Sequence, residues 1–192
     1  MDKLKGILFA ALSAATFGLI PLYANQAILD GVNNETILVY RYGIAGVLYA
    51  IYLLFRGTNM RLSRGELQEV TIAGVGGYGI TAFFLMWSYH YMPTGVATAI
   101  HFFYPVVVAL LMAIFYKERL PLTVRAGIVL AICGVYLLSW TPGEVKWMGL
   151  FFVLMSTLTY GCYITALNRP VLKRINPDVL TCYVLLFTAL FY

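Results

Sequence analysis

Six stretches of this chain stay apolar for roughly 20 residues, the length an α-helix needs to cross about 30 Å of hydrocarbon. They are Leu4–Ala27, Thr36–Phe55, Val70–Tyr91, Gly95–Tyr116, Leu122–Trp140 and Trp147–Leu167, and a seventh begins near Val179 and runs to Tyr192. A soluble core has no use for so many. Apolar residues make up 61% of the chain and charged ones 11%, against roughly a quarter charged in a soluble domain. Too little polar surface remains to cover such a core. Runs of this length and uniformity satisfy their backbone as helices, whereas a membrane barrel shows shorter, alternating stretches. The expected fold class is an all-α polytopic membrane protein with short connections. Lys3 and Lys5 ahead of the first run are reminiscent of a signal peptide. That run is longer than a typical signal-peptide core and further spans follow at once, so it reads as a retained helix.

Charge placement orients the bundle. Lys3 and Lys5 precede helix 1, and Arg56, Arg61 and Arg64 lie between helices 2 and 3. Lys117, Arg119 and Arg125 lie between helices 4 and 5, and Arg169, Lys173 and Arg174 between 6 and 7. The opposite loops carry only Lys146, beside Asp30, Glu35 and Glu144. This bias puts the N-terminus in the cytoplasm and the protein in the cytoplasmic membrane. The net charge of +5 then reflects topology, and no nucleic-acid partner is expected. Cys133, Cys162 and Cys182 lie in apolar segments without metal-ligand or paired spacing, which suits packing. No cofactor and no metal are expected, and no enzyme signature is visible.

Read at an offset of 143 residues, the chain repeats without a gap. Gly6, Phe9, Ser13, Thr16, Gly18 and Asn25 land on Gly149, Phe152, Ser156, Thr159, Gly161 and Asn168. Asn33, Glu35 and Tyr40 land on Asn176, Asp178 and Tyr183. Two apolar helices share a small alphabet and match by chance, but these matches continue through the polar stretch from Asn33 to Glu35. We read a duplication. Five apolar segments separate the copies, so the second inserts upside down, as in secondary transporters. The expected domains are a first repeat over residues 4–140 and the start of a second over 147–192. A complete pair would approach 286 residues (twice 143) and ten helices, a 5+5 inverted-repeat bundle.

Polar residues inside the spans are the candidate site. Arg41 lies about six residues below the outer end of helix 2, roughly 9 Å deep. It is an anchor for an anionic substrate group, or it snorkels to the headgroups or pairs with Glu35. His101, at similar depth in helix 4, is a proton relay or a plain interhelical hydrogen-bonder. Pro21 and Pro105 interrupt helices 1 and 4, freeing carbonyls near Phe17 and His101, beside a cavity or as structural kinks. Tyr40, Tyr78, Trp87, Tyr104 and Tyr160 fall deep enough to line a cavity, and Thr16 and Phe17 belong to the same candidate set. The glycines at 74, 76, 77 and 79 mark close helix approach.

The order of these features resembles the EamA family of the drug/metabolite transporter superfamily. The residues that carry it are Phe17-Gly18, Arg41, the stretch WSYHYMPTGVATA from Trp87 to Ala99, and Pro105 with Glu118 in PVVVALLMAIFYKERLPL. Gly127 and Gly134 in AGIVLAICGVYLL follow, and the pattern restarts at Gly149. The resemblance implies a ten-helix inverted fold, a central cavity and movement of small metabolites, often export of amino acids. The expected partners are a small-molecule substrate and the lipid bilayer, with one full-length chain as the functional unit. A non-transporting membrane subunit or assembly factor would use the same packing without a cavity. The charge count predicts that single cysteines in the Arg61 and Lys173 loops label from the cytoplasm. Asn33→Cys should label only from outside; cytoplasmic labelling of Asn33→Cys reverses the topology.

Overall fold

Every apolar stretch is helical in the computed structural model of the chain, which describes residues 2–117, 120–139 and 146–192. In chain order the helices are α1 (Asp2–Leu29), α2 (Asn34–Phe55), α3 (Arg64–Ser88), α4 (Thr94–Phe115), α5 (Leu122–Ser139), α6 (Trp147–Ala166) and α7 (Pro177–Phe191). A single turn, Pro170–Lys173, sits between α6 and α7. Helices α1, α2, α3, α4 and α6 are long and apolar enough to cross a membrane, and α5 and α7 are shorter apolar helices. Glu118, Arg119, Trp140 and Glu144, which entered the sequence reading, lie outside the described residues.

Local chemistry sets the ends. Helix α1 closes on Gly31 at φ +83°, with Val32 N–H donating to Ala27 O and Gly31 N–H to Ile28 O, both at 3.0 Å. Helix α2 closes the same way on Gly57 at φ +65°. Only glycine takes that left-handed position without strain. Helix α3 starts six residues before the apolar run that marked it. Ser63 and Glu66 form a capping box there, Glu66 N–H donating to Ser63 Oγ at 3.3 Å and Ser63 N–H to Glu66 Oε2 at 2.8 Å.

The two prolines behave differently. Helix α4 breaks between His101 and Tyr104, and Pro105 sits in the first turn of the segment that resumes. Its missing N–H there is one that a helix start leaves unpaired anyway. Helix α1 runs unbroken through Pro21, which corrects the expectation that both residues interrupt their helices. Membrane helices absorb a lone proline where neighbours cover the exposed backbone, and Pro21 is buried.

Helix α3 holds the bundle together. Its middle, Ile72–Gly79, widens into a π-helix, packing against both α6 and α7. A Cβ at Gly77 would sit 2.8 Å from Tyr163 Cβ, and one at Gly74 would sit 3.3 Å from Val184 Cα. Thr188 Oγ1 donates to Gly74 O at 3.2 Å, and Tyr192 OH donates to Gly79 O. One buried cluster, including Leu38, Tyr42, Met86, Ile100 and Val153, joins α2, α3, α4 and α6. Another, with Val70, Leu172, Val179 and Val184, joins α3, the 170–173 turn and α7. By contrast α1 leaves Leu4, Leu8, Phe9, Leu12 and Leu22 exposed.

Helices α2 and α7 pack antiparallel, because their contacts run in opposite order along the two helices. A Cβ at Gly46 would meet Leu186 at 2.8 Å, and one at Gly43 would meet Ala189 at 3.8 Å. Under the offset of 143, Gly43 corresponds to Leu186 and Gly46 to Ala189. Each contact is therefore the other read backwards.

These approaches predict a contrast within one helix. Gly77→Ala should cost about 1–3 kcal/mol, the usual penalty for overpacking, read as a lower Tm in detergent. At Gly76 a Cβ meets nothing within 4 Å among the described residues, so Gly76→Ala should leave Tm unchanged or raise it.

Candidate transport cavity

The polar positions of four helices converge on one buried cavity of about 50 Å³. Helix α1 contributes Phe17 and Pro21, α2 contributes Arg41 and Tyr42, α3 presents Tyr78 and Thr81, and α6 adds Tyr160. On α3 the lining residues recur at helical spacing, Tyr78, Thr81, Leu85 and Tyr89, so a single face of that helix is committed to the cavity. At roughly one water per 10–15 Å³ this volume holds a few waters. A metabolite enters only if the walls move.

Arg41 is half-buried in this wall. Its Cζ lies 5.0 Å from the centroid of the Tyr42 ring, a cation–π contact. Among the described residues Arg41 is in no ion pair; the pair there joins Arg169 and Glu69 at 3.0 Å. Of the readings left open by the sequence, the structure puts Arg41 on the cavity wall and not in a pair with Glu35. The same residue also lines a larger, open groove of about 560 Å³ along α1 and α2, with Thr16, Ile20, Tyr23 and Tyr40.

His101 and Tyr104 stand behind the cavity, not on it, so the shared depth of Arg41, His101 and Tyr104 did not translate into a shared surface. His101 is 3% exposed, and its Nδ1 lies 3.0 Å from Ser156 Oγ on α6. Its ring is 5.4 Å from that of Tyr160, and Tyr104 meets Tyr160 edge-on at 4.6 Å. Both residues therefore back Tyr160. The physical reason is rotation about the helix axis: depth follows from sequence position, while the facing direction depends on the break after His101.

The remaining candidates scatter. Tyr40 is 65% exposed and faces the open groove, as does Thr16, whose hydroxyl donates back to Leu12 O and Ser13 O. Trp87 packs against Phe83, His90 and Phe152, and its Nε1 is buried without an acceptor among the described residues. Phe17 reaches both the cavity and the Phe102 ring, 5.5 Å away.

Tyr42, Thr81 and Tyr163 escaped the sequence reading, and Tyr89, which its place near a span end assigns to the interfacial aromatic belt, is instead buried on the cavity wall at 8% exposure. The signal for Thr81 and Tyr89 was present in their spacing from Tyr78. Thr81 Oγ1 and Thr159 Oγ1 are 2.8 Å apart, tying α3 to α6 at the cavity edge. Tyr163 lines a second cavity, of about 260 Å³, with Gly76, Gly77, Glu69 and Arg169. The rings of Tyr78, Tyr160 and Tyr163 touch one another at 5.5–6.3 Å and form a layer between the two cavities.

Comparison with known proteins agrees with this architecture. The model of the EamA-like transporter family matches residues 4–140. A protein of Archaeoglobus fulgidus named as an uncharacterized transporter is 30% identical over 141 residues, covering 73% of this chain and 49% of that protein. A protein of Streptantibioticus cattleyicolor named "probable terminal-alkyne amino-acid exporter" is 27% identical over 156 residues, covering 81% of this chain and 52% of that protein. The chain spans about half the length of these curated relatives. No solved structure matches it significantly. On the strength of the match over residues 4–140, the chain belongs to the EamA-like transporter family.

Proposed function

We propose that this chain is the first five-helix unit, and the beginning of a second, inverted one, of an exporter of small metabolites such as amino acids. The observation that carries this reading is the convergence of one guanidinium with aromatic rings and hydroxyls on a buried cavity between α1, α2, α3 and α6. A carboxylate meets the fork of Arg41 through paired hydrogen bonds. The rings of Tyr42, Tyr78 and Tyr160 offer faces to an apolar side chain, and Thr81 offers a hydroxyl. The name of the Streptantibioticus relative supports the amino-acid class.

The size of the cavity and the presence of its neighbour support alternating access. Two cavities separated by a tyrosine layer suit a solute that is released on one side while the other is shut. The antiparallel, reciprocal packing of α2 on α7 supports the duplication, and the loop charges support a cytoplasmic N-terminus in the cytoplasmic membrane.

The test is flux of labelled amino acids through proteoliposomes bearing the full-length gene product. A hydrogen bond to a charged group contributes about 1.5–3 kcal/mol. Arg41→Ala should therefore lower flux at least about tenfold while leaving abundance in the membrane unchanged. Arg41→Lys, a point charge without the fork, should retain an intermediate rate. Flux no higher than in empty liposomes removes the transport reading, and normal flux by Arg41→Ala removes the role of Arg41.

A further inference from the structure

We infer that the Glu69–Arg169 pair is the selectivity site of the second cavity, where it reads both charges of a zwitterionic amino acid loaded from the cytoplasm. The site deepens the amino-acid reading proposed above and rests on it for the substrate class and the side of loading. Both residues line the cavity of about 260 Å³ between α3 and α6. On α3 the lining residues Glu69, Ala73 and Gly76 recur at helical spacing, and Cys162, Ala166 and Arg169 do so along the end of α6. The volume approaches the lower end of small-molecule pockets, roughly 300 Å³. The inner cavity, at about 50 Å³, holds only waters. A Cβ at Gly76 meets nothing within 4 Å among the described residues, so backbone on the α3 wall borders open space.

Recognition of an amino acid requires a partner for each of its charges. Among the described residues the inner cavity has one only, because Arg41 lines it and no carboxylate does. The second cavity has both, with Arg169 Nη1 lying 3.0 Å from Glu69 Oε2. The two side chains are 54% and 31% exposed, so water reaches each of them. Exposed pairs of this kind add little to stability and exchange partners readily. A zwitterion opens the pair without stranding a charge, its carboxylate on the Arg169 fork and its ammonium on Glu69. A lone anion or a lone amine meets one side and leaves the other unmet.

Arg169 has a second donor near it. With Thr165 it lines an adjoining cavity of about 370 Å³. Thr165 is 8% exposed, and its hydroxyl has no hydrogen-bond partner among the described residues. A buried hydroxyl without an acceptor is costly. A carboxylate held by Arg169 provides that acceptor.

Cys162 reports on the site, since it is exposed and lines both of these cavities. Its alkylation by N-ethylmaleimide, in the detergent-solubilised full-length gene product, is followed by peptide mass spectrometry. Leucine should slow the reaction. 4-Methylpentanoate (leucine without its ammonium) and 3-methylbutylamine (without its carboxylate) should each need at least about tenfold more, the worth of one hydrogen bond to a charged group. Cys133, which lines neither cavity, should react at one rate throughout, and the buried Cys182 should stay unreactive in every folded variant. Glu69→Gln should bring 4-methylpentanoate level with leucine, and Arg169→Gln should do the same for 3-methylbutylamine. Thr165→Val should weaken protection by leucine, and an unchanged response strikes the hydroxyl from the site. A merely structural pair would lower Tm in the charge variants and leave the order of the three compounds alone. A Cys162 that resists the reagent, no protection by leucine, equal slowing of Cys133, or one order of compounds in all variants would each overturn the proposal. Protection without flux sinks the transport reading and leaves this site standing, and flux without protection does the reverse.

Discussion

The close approach of backbones at the glycines of α3 is the constraint on which the other arrangements depend. Lipid tails are as apolar as leucine side chains, so helices in a bilayer gain little by hiding apolar surface from one another. What they gain is dispersion contact and hydrogen bonding, and both require proximity. Gly74 and Gly77 bring α3 against Val184 and Tyr163. At that distance the hydroxyls of Thr188 and Tyr192 reach the carbonyls of the widened π-helix. These carbonyls thereby gain side-chain donors inside the membrane span.

A second irregularity faces the first. The break in α4 ends at Tyr104, whose ring leans edge-on against Tyr160, while the π-helix of α3 carries Tyr78 to the same place. Two weak points in otherwise regular helices therefore meet at the tyrosine layer. Irregular turns inside a helix often mark functional hinges. The layer is thus mounted on the two irregular stretches of the bundle.

Much of the fold was legible because length and hydropathy dominate in a membrane. The ends of α1, α2, α4 and α6 fall within about two residues of the apolar runs. The start of α3 was misjudged because its first turns are polar, although Ser63 and Glu66 already spelled a capping box. The site was less legible. Arg41 was found because a charge in a span is rare and conspicuous. His101 and Tyr104 were misplaced because sequence gives depth along a helix and not rotation about it. Tyr42 was passed over beside a more conspicuous neighbour. Pro21 and Pro105 show the same gap, since one residue type sits inside an unbroken α1 and marks the break in α4.

On the proposed reading, the smallness of the cavity beside Arg41 governs throughput. About 50 Å³ admits water but no amino acid, so a solute held there would not stream through an open channel. Each molecule moved requires one full rearrangement of the walls, and such motions take microseconds to milliseconds. Turnover then saturates with solute concentration and has a ceiling set by the protein's own motion, orders of magnitude below that of an open pore. A chain working in this proposed way trades speed for discrimination, because each passage would begin with the solute enclosed against Arg41 and the surrounding rings.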